Sequence, residues 1–240
     1  MEVIANPNFS VTEAEVGRLR DRAAKSPPVV ARPLLLLSGY HSPKFPARAA
    51  AKHLRRFGAC DPAQSLIVSY PYALSVEAAV IKATAAVAER GWMDREVDVV
   101  GVSMGGLVAR VLAADHGLNV KRLFTLATPH RGAKMTERLA PDAAALQLMP
   151  GSEFLQRLDV SLALRTYELV CYAVLRDWMV GARNTAPIGM APHWLDPVKP
   201  PMRLMSHFSI SLDARIMADV ALRLRGEAPI SGTPVEPPRD

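Results

Sequence analysis

Short apolar runs alternate along the chain with longer segments in which apolar residues recur at helical spacing. The runs have the length of buried strands, which are predicted at 34–37, 66–70, 97–102, 123–127 and 169–174. Helices are predicted at 45–57, 75–90, 104–114 and 212–224. Parallel strands cannot be joined by a tight turn and need crossover helices of this kind. The pattern therefore predicts an α/β fold with a mostly parallel central sheet and helices on both faces.

We expect the chain to form a single domain over 1–240, with an extension at each end. Residues 1–28 contain a further predicted helix, which Ser10 and Glu13 would open as a capping box. Residues 226–240 are rich in proline and have no periodicity, which predicts a flexible tail.

Residues 131–160 break the alternation and are predicted to form a small helical, lid-like insertion. Two short helical pieces lie within it, at 143–149 and 152–158. An apolar stripe along the first piece consists of Leu139, Ala143, Leu146 and Met149. Such a stripe either covers a substrate site or is the ordinary buried face of a soluble helix. Further on, 181–201 carry five prolines without a clear period, which predicts an ordered loop over the sheet edge.

Composition and charge restrict the class of protein. Half of the residues are hydrophobic and 22% are charged, which is typical of a packed globular chain. The net charge of +6 is dispersed and forms no basic tract, so no nucleic-acid partner is expected. The longest strongly apolar block, at 33–37, is too short to cross a bilayer, so no stable membrane insertion is expected.

Cysteine use and the first residues of the chain predict a cytoplasmic location. Cys60 and Cys171 lie far apart without metal-ligand spacing, which favours free thiols, with one disulfide as the alternative. Residues 1–26 contain acidic side chains and no apolar signal-peptide core. The sequence has no Walker A pattern, no GxGxxG after a strand and no His/Cys cluster, so we expect neither cofactor nor metal.

The strand predicted at 97–102 ends in Gly101-Val102-Ser103-Met104-Gly105, and a predicted helix follows at once. The two glycines of this GxSxG motif leave room for a sharp strand-to-helix turn that exposes the serine. The helix N-terminus adds backbone N–H groups and a positive dipole end, which favour negative charge there. A bare GxSxG also occurs by chance in loops, but in this context it predicts that Ser103 is a nucleophile.

Three stretches of the chain resemble a known family: VSMGGLVAR at 102–110, LATPHRG at 126–132 and LMPGSEFLQRL at 148–158. They are similar to the lipase and esterase branch of the α/β-hydrolases, close to bacterial triacylglycerol lipases and inositol-deacylase-like proteins. The resemblance runs from about residue 34 to residue 224. It implies the α/β-hydrolase fold and hydrolysis of acyl esters.

A serine nucleophile needs a histidine to accept its proton, and in this fold the histidine follows the serine and the acid in the chain. The order disfavours the histidines before or soon after the motif, which are His41, His53 and His116. His207 lies between a short strand candidate at 202–205 and the last helix, where the family carries its base, and it is our candidate. His193 is the second choice. The resemblance implies a structural role for His130.

A carboxylate must orient the histidine, and Asp177 is the candidate because it closely follows the strand predicted at 169–174. The run Asp177-Trp178-Met179-Val180 resembles the family's loop that begins with the triad acid. An aspartate at a strand end is often only a turn residue, and Asp196 is the competing choice.

The oxyanion hole in this fold uses two backbone N–H groups, one from the residue after the nucleophile and one from the loop after an earlier strand. Here these are Met104 and, in the loop Ser38-Gly39-Tyr40-His41, Tyr40. The family usually has His-Gly in this loop. Ser38 in place of the histidine leaves open how the loop is held.

Together these residues predict a serine hydrolase that cleaves small-molecule carboxylic esters through an acyl-enzyme. Acyl transfer to an alcohol or thiol, or hydrolysis of a thioester, would use the same residues, and the sequence does not separate them. A non-catalytic α/β-hydrolase that binds an apolar ligand or a partner protein is the alternative from a different class, favoured by the Ser38 departure alone.

Overall fold

A parallel sheet forms the centre of the fold. The computed structural model describes residues 8–25, 29–42, 44–197 and 206–238. Its strands are β1 (Leu34–Leu37), β2 (Ser65–Val68), β3 (Val97–Val102), β4 (Val120–Leu126), β5 (Glu168–Val174) and β6 (His193–Leu195). They are ordered β2-β1-β3-β4-β5-β6, and every neighbouring pair is parallel. The predicted α/β fold and its parallel sheet are confirmed.

Helices connect the strands and flank them on both sides. They are α1 (Glu13–Ala23), α2 (Phe45–Arg56), α3 (Val76–Glu89), α4 (Met104–Asp115), α5 (Ala143–Gln147), α6 (Glu153–Leu162), α7 (Ser206–Ser209) and α8 (Ala214–Leu224). Single 3-10 turns occur at Pro62–Gln64, Lys134–Glu137, Ala182–Thr185 and Ile210–Leu212.

Alternate residues of each strand supply two separate cores. In β1, Leu35 and Leu37 pack with α3, α4 and α6 on one face of the sheet, whereas Leu34 and Leu36 pack with α1, α2 and α8 on the other. All four leucines are at most 1% exposed, and each contributes about 1.5–3 kcal/mol by leaving water. Because both faces are covered, the carboxyl ends of the strands and their loops are where a site can open.

One strand was missed by the sequence prediction. The segment 181–201, predicted as a loop, contains β6, which pairs in parallel with 172–174 of β5. A three-residue strand between Pro192 and Pro197 is too short to show a period-2 pattern. Its buried Trp194 and Leu195 are the local signal that could have indicated it.

The insertion is helical as predicted, but its apolar stripe does not form a buried helix face. Leu139 and Leu146 are 64% and 54% exposed. The buried residues of and just after α5 are Ala144, Ala145 and Leu148. The short helix is turned this way because the Ala144 N–H donates to the Leu74 carbonyl at 2.8 Å, which ties α5 to the segment before α3.

Helix α1 begins two residues later than the predicted capping box. Thr12, not Ser10, is the N-cap: its hydroxyl accepts from the Glu15 N–H at 3.2 Å, and the Glu15 carboxylate accepts from the Thr12 N–H at 2.7 Å. This register turns Val16 into the core, where it is 4% exposed.

The described part of the predicted flexible tail, 226–238, makes hydrogen bonds with the body that the sequence did not indicate. The buried Asp219 carboxylate accepts from the N–H groups of Ile230 and Ser231, at 2.8 and 2.7 Å, and from the Tyr172 hydroxyl at 2.7 Å. A single carboxylate thus joins α8, β5 and the C-terminal segment.

Two further observations concern the cysteines and the lengths of the helices. Cys60 and Cys171 are buried free thiols, as favoured over a disulfide. In the part of the chain that the structure describes, no helix has the length and apolarity needed to cross a membrane. The strand candidate at 202–205 lies outside the described residues.

Candidate active site

Ser103 lies at the turn between β3 and α4, as the motif predicted. Its backbone has φ 54° and ψ −127°, a conformation that side chains rarely adopt and that costs about 1–3 kcal/mol. The Ser103 N–H donates to the Leu126 carbonyl at 2.8 Å, and the Thr128 hydroxyl donates to the Ser103 carbonyl at 2.8 Å. Strand β4 and the loop after it therefore hold the strained turn in place.

Glycines after the serine allow α4 to approach the sheet closely. A Cβ at Gly105 would lie 2.5 Å from the Leu37 carbonyl oxygen, and one at Gly106 would lie 2.2 Å from Thr128 Oγ1. No real Cβ tolerates these distances. The GxSxGG run and the TPHRG run thus occur together because their residues pack against each other.

The side chains of Ser103, His207 and Asp177 form one hydrogen-bonded chain. His207 Nε2 lies 3.1 Å from Ser103 Oγ, and His207 Nδ1 lies 2.8 Å from Asp177 Oδ2. Asp177 Oδ1 accepts from the N–H groups of Met179 and Val180, each at 3.1 Å. The carboxylate and the imidazole are buried, while the serine is half-buried. The structure thus brings together the three residues that the sequence selected.

The loop after β5 positions both Asp177 and His207. The Arg176 carbonyl accepts from the Ser206 hydroxyl at 2.6 Å, and this bond fixes the start of α7, which carries His207. Arg176 Nε also pairs with Asp196 Oδ1 at 3.2 Å. The competing acid Asp196 is therefore engaged with the arginine next to Asp177.

Backbone strain is concentrated at this edge of the sheet. Among the described residues, the non-glycine residues with positive φ are His41, Ser103, Ala127 and Arg176, with φ of 45°, 54°, 50° and 63°. They follow β1, β3, β4 and β5, and each lies in a loop at the carboxyl end of its strand. Such conformations persist where the surroundings impose them, and they cluster at functional sites.

The loop after β1 touches the serine directly. A Cβ at Gly39 would lie 3.0 Å from Ser103 Cβ and 3.5 Å from Ser103 Oγ. Among the loop and helix-end backbone hydrogen bonds of the described chain, none uses the N–H of Tyr40 or Met104. Neither candidate oxyanion donor therefore has a backbone acceptor among the described residues.

Tyr70, which sequence reasoning did not select, hydrogen-bonds to the backbone of this loop. Its buried hydroxyl donates to the Ser38 carbonyl, and the Ser38 N–H donates to Val68 O at 3.0 Å. The Ser38 hydroxyl is buried without a partner in the described chain. Hydrogen bonds to the backbone of Ser38 therefore fix the loop, and the side chain at this position takes no part.

The other buried histidines, His130 and His193, have lowered pKa values, and His130 is held by hydrogen bonds. His130 Nδ1 accepts from Arg110 at 3.0 Å and His130 Nε2 donates to the Thr125 hydroxyl at 3.1 Å. Burial, together with the positive charge of Arg110, holds the pKa of His130 well below its ordinary value. Burial also lowers the pKa of His193 to about 4. Both imidazoles are neutral at pH 7.

A cleft of about 770 Å³ opens beside Asp177. Its lining includes Met135, Arg138, Trp178 and Asn184 as well as Asp177. Another cleft, of about 590 Å³ between α1, α2 and the start of α8, is lined by none of the sequence-selected residues. No group of three or more metal-ligating side chains converges in the described part of the chain.

Comparisons with known proteins agree with this fold. The family model described as PGAP1-like alpha/beta domain matches residues 73–147, which carry both the GxSxG and the TPHRG motif. The comparison with curated proteins finds no match.

Solved structures provide the second comparison. The mature form of Bacillus licheniformis lipase BlEst2 superposes with a TM-score of 0.54 at 15% identity, covering 83% of this chain and 92% of that one. A lipase-esterase related protein from Clostridium acetobutylicum gives 0.54 at 11% identity, covering 82% and 96%. Against phospholipase PlaB from Legionella pneumophila the TM-score is 0.49 at 11% identity, with 59% of this chain covered and only 38% of that chain.

Residues 73–147 include Ser103, and the superpositions cover more than 90% of both the Bacillus and the Clostridium structures. The chain therefore has the α/β-hydrolase fold of these lipases and esterases.

Proposed function

We propose that this protein is a serine hydrolase that cleaves carboxylic esters through Ser103, His207 and Asp177. The observation that carries the proposal is the continuous hydrogen-bonded chain of the three side chains, with contacts of 3.1 and 2.8 Å, at a strained strand-to-helix turn. A binding protein has no need for a serine exposed in this way and aligned with a base.

The reaction begins when Ser103 Oγ attacks the ester carbonyl and its proton passes to His207 Nε2. Asp177 holds Nδ1–H and stabilises the imidazolium that forms. The tetrahedral intermediate collapses as the C–O bond breaks, and His207 gives its proton to the leaving alkoxide. Water, deprotonated by His207, then attacks the acyl-serine and releases the acid, which regenerates the serine hydroxyl.

The backbone amides of Met104 and Tyr40 serve as oxyanion donors. They flank the serine, and Gly39 permits the loop to approach within van der Waals contact of it. Each such donor contributes about 100- to 1000-fold to the rate, because it stabilises charge that develops only in the transition state.

The surroundings of the serine favour an ester with an apolar part. Trp178 and Phe208 directly follow the acid and the base in the chain, and they are 58% and 46% exposed. Met135 and Trp178 line the cleft beside Asp177. The exposed Trp178 ring and the half-buried Met135 thioether would gain by covering apolar substrate surface.

The test compares wild type with Ser103→Ala on p-nitrophenyl esters of increasing acyl-chain length. We expect wild-type turnover and a loss of several orders of magnitude in Ser103→Ala, because the acyl-enzyme cannot form. Equal rates for the two proteins would contradict the proposal and favour a ligand-binding protein. Adding an alcohol acceptor and identifying the products separates hydrolysis from acyl transfer.

A further inference from the structure

A carboxylate of the insertion reaches back to the loop that flanks the serine. Asp142 Oδ2 accepts from the Tyr40 hydroxyl at 2.8 Å and pairs with His41 Nε2 at 2.8 Å. The Tyr40 and His41 rings pack edge to face, with centroids 4.2 Å apart. The two residues follow Gly39 directly, while Asp142 lies about 100 residues later in the chain. We call these contacts the Asp142 latch.

The same carboxylate caps the insertion helix. Asp142 Oδ1 accepts from the Ala145 N–H at 2.9 Å, at the start of α5. Partial burial alone would raise the pKa of Asp142, but hydrogen bonds from the Ala145 amide, His41 and Tyr40 outweigh burial and lower that pKa. Asp142 is therefore ionised at neutral pH and holds the loop and the helix at once.

The loop needs such a hold because its backbone is strained. His41 has φ 45°, in the left-handed region, which costs a non-glycine residue about 1–2 kcal/mol. Within the described part of the loop, the Ser42 N–H donates to Gly39 O at 3.2 Å. Tyr70 fixes the loop at Ser38, before Tyr40, and the Asp142 latch fixes it at Tyr40 and His41.

We propose that Asp142 is a positioning residue, which sets the Tyr40 N–H against the oxyanion through the Tyr40 and His41 side chains. The inference rests on the proposed function, in which that N–H is an oxyanion donor. Asp142 itself touches no reacting atom. Through Asp142, the rate of the chemical step depends on the position of α5.

The insertion helix is in turn anchored to the body. Gln147 Oε1 accepts from the Val76 N–H at 2.8 Å, and Gln147 Nε2 donates to Glu77 Oε1 at 2.6 Å. Together with the bond from Ala144 to the Leu74 carbonyl, these contacts hold α5 against the start of α3. The Asp142 latch therefore connects the loop after β1, through α5, to the start of α3.

The test measures kcat and KM separately for Asp142→Ala with a p-nitrophenyl ester. We expect kcat to fall about 10- to 100-fold, because small misplacement of a transition-state donor is costly. KM should stay within about 3-fold, since ground-state binding does not use this donor. A wild-type kcat would overturn the proposal.

Two variants separate the latch from helix capping. Tyr40→Phe keeps the backbone N–H and the Asp142 cap but removes one latch bond, so we expect a smaller fall in kcat with an unchanged melting temperature. Thr12→Ala removes the comparable cap of α1, on the other face of the sheet, where Thr12 Oγ1 accepts from the Glu15 N–H at 3.2 Å. It should lower stability and leave kcat unchanged. A fall in kcat with Thr12→Ala equal to that with Asp142→Ala would reduce the latch to a stability effect.

A readout without turnover distinguishes failure of the latch from failure of the proposed function. If wild type and Ser103→Ala hydrolyse esters equally, the proposed function fails, and amide hydrogen exchange then tests the latch alone. Exchange at 38–42 should accelerate in Asp142→Ala, but not in Thr12→Ala. Unchanged exchange at 38–42 in Asp142→Ala would overturn the latch.

Discussion

Replacement of Gly39 by alanine tests how closely the loop after β1 lies against Ser103. The new methyl group would lie 3.0 Å from Ser103 Cβ, 3.4 Å from the Val102 carbonyl oxygen and 3.5 Å from Ser103 Oγ. Carbon atoms prefer about 3.5–4.0 Å, so the loop or the serine must move by about 0.5 Å. Gly39 does not have a positive φ, and the substitution therefore acts by contact, without added backbone strain.

In the proposed mechanism, the displaced group is the Tyr40 N–H, which donates to the oxyanion. A shift of about 1 Å at a reacting centre can cost about 100-fold, and complete loss of one oxyanion donor about 100- to 1000-fold. We therefore expect Gly39→Ala to lower kcat about 10- to 100-fold with little change in KM, as measured by steady-state ester hydrolysis. Overpacking should also lower the free energy of unfolding, by about 1–3 kcal/mol.

A matched alanine substitution controls for folding. Gly17 lies within α1, and a Cβ added to it would have no atom within 4 Å. Gly17→Ala should therefore raise stability by about 0.5–1 kcal/mol and leave kcat unchanged. If Gly39→Ala retains wild-type kcat, the loop does not lie against Ser103 and the assignment of Tyr40 as a donor is wrong.

The remaining predictions concern Asp177, the two buried histidines, and Asp219, whose carboxylate joins the C-terminal segment to α8 and β5. Asp177→Asn should lower kcat about 1,000- to 10,000-fold at nearly constant stability, because the wrong imidazole tautomer is held while the turn amides keep their acceptor; a fall below about 10-fold in ester turnover would exclude Asp177 as the acid. His130 and His193 have pKa values below the ordinary value near 6.5, so the unfolded chain binds more protons as the pH falls below about 6.5. The free energy of unfolding should therefore decrease from about pH 6.5 towards pH 4, and substitution of both histidines by glutamine should flatten that slope in urea titrations; an unchanged slope would contradict their burial as neutral groups. Asp219→Asn should lower the free energy of unfolding by about 3 kcal/mol and expose 226–238 to limited proteolysis. An unaltered cleavage pattern would mean that the Asp219 carboxylate does not hold this segment.

The local pattern of the sequence predicted most of the fold. The strand at 97–102 and the start of α4 at Met104 match the structure because a fully apolar run and a glycine-marked turn are local signals. Strand β6 was missed because three residues between prolines have no periodicity, and it is stabilised by pairing with β5, a long-range contact. Of the two readings of the insertion stripe, the buried helix face is not found, since α5 is tied to Leu74 through Ala144 and buries Ala144 and Ala145 instead.

Sequence reasoning likewise selected some residues of the candidate site and missed others. Ser103 and Asp177 follow strand ends, and His207 precedes the last helix, so motif, chain order and resemblance were sufficient to select them. Tyr70 and Asp142 were not selected, because neither lies in a motif and each acts through hydrogen bonds that cross the fold. Side chains that support a loop from a distant element leave no spacing pattern in the sequence.

Covalent labelling of the serine tests the central claim most directly. The folded protein is treated with an alkyl fluorophosphonate, and the modified peptide is identified by mass spectrometry. We predict one adduct per chain, located on Ser103, with no labelling of Ser103→Ala and much slower labelling of His207→Ala, since the base activates the hydroxyl. Absence of an adduct on the folded wild-type protein, or an adduct on another residue that persists in Ser103→Ala, would contradict the role of Ser103 as nucleophile.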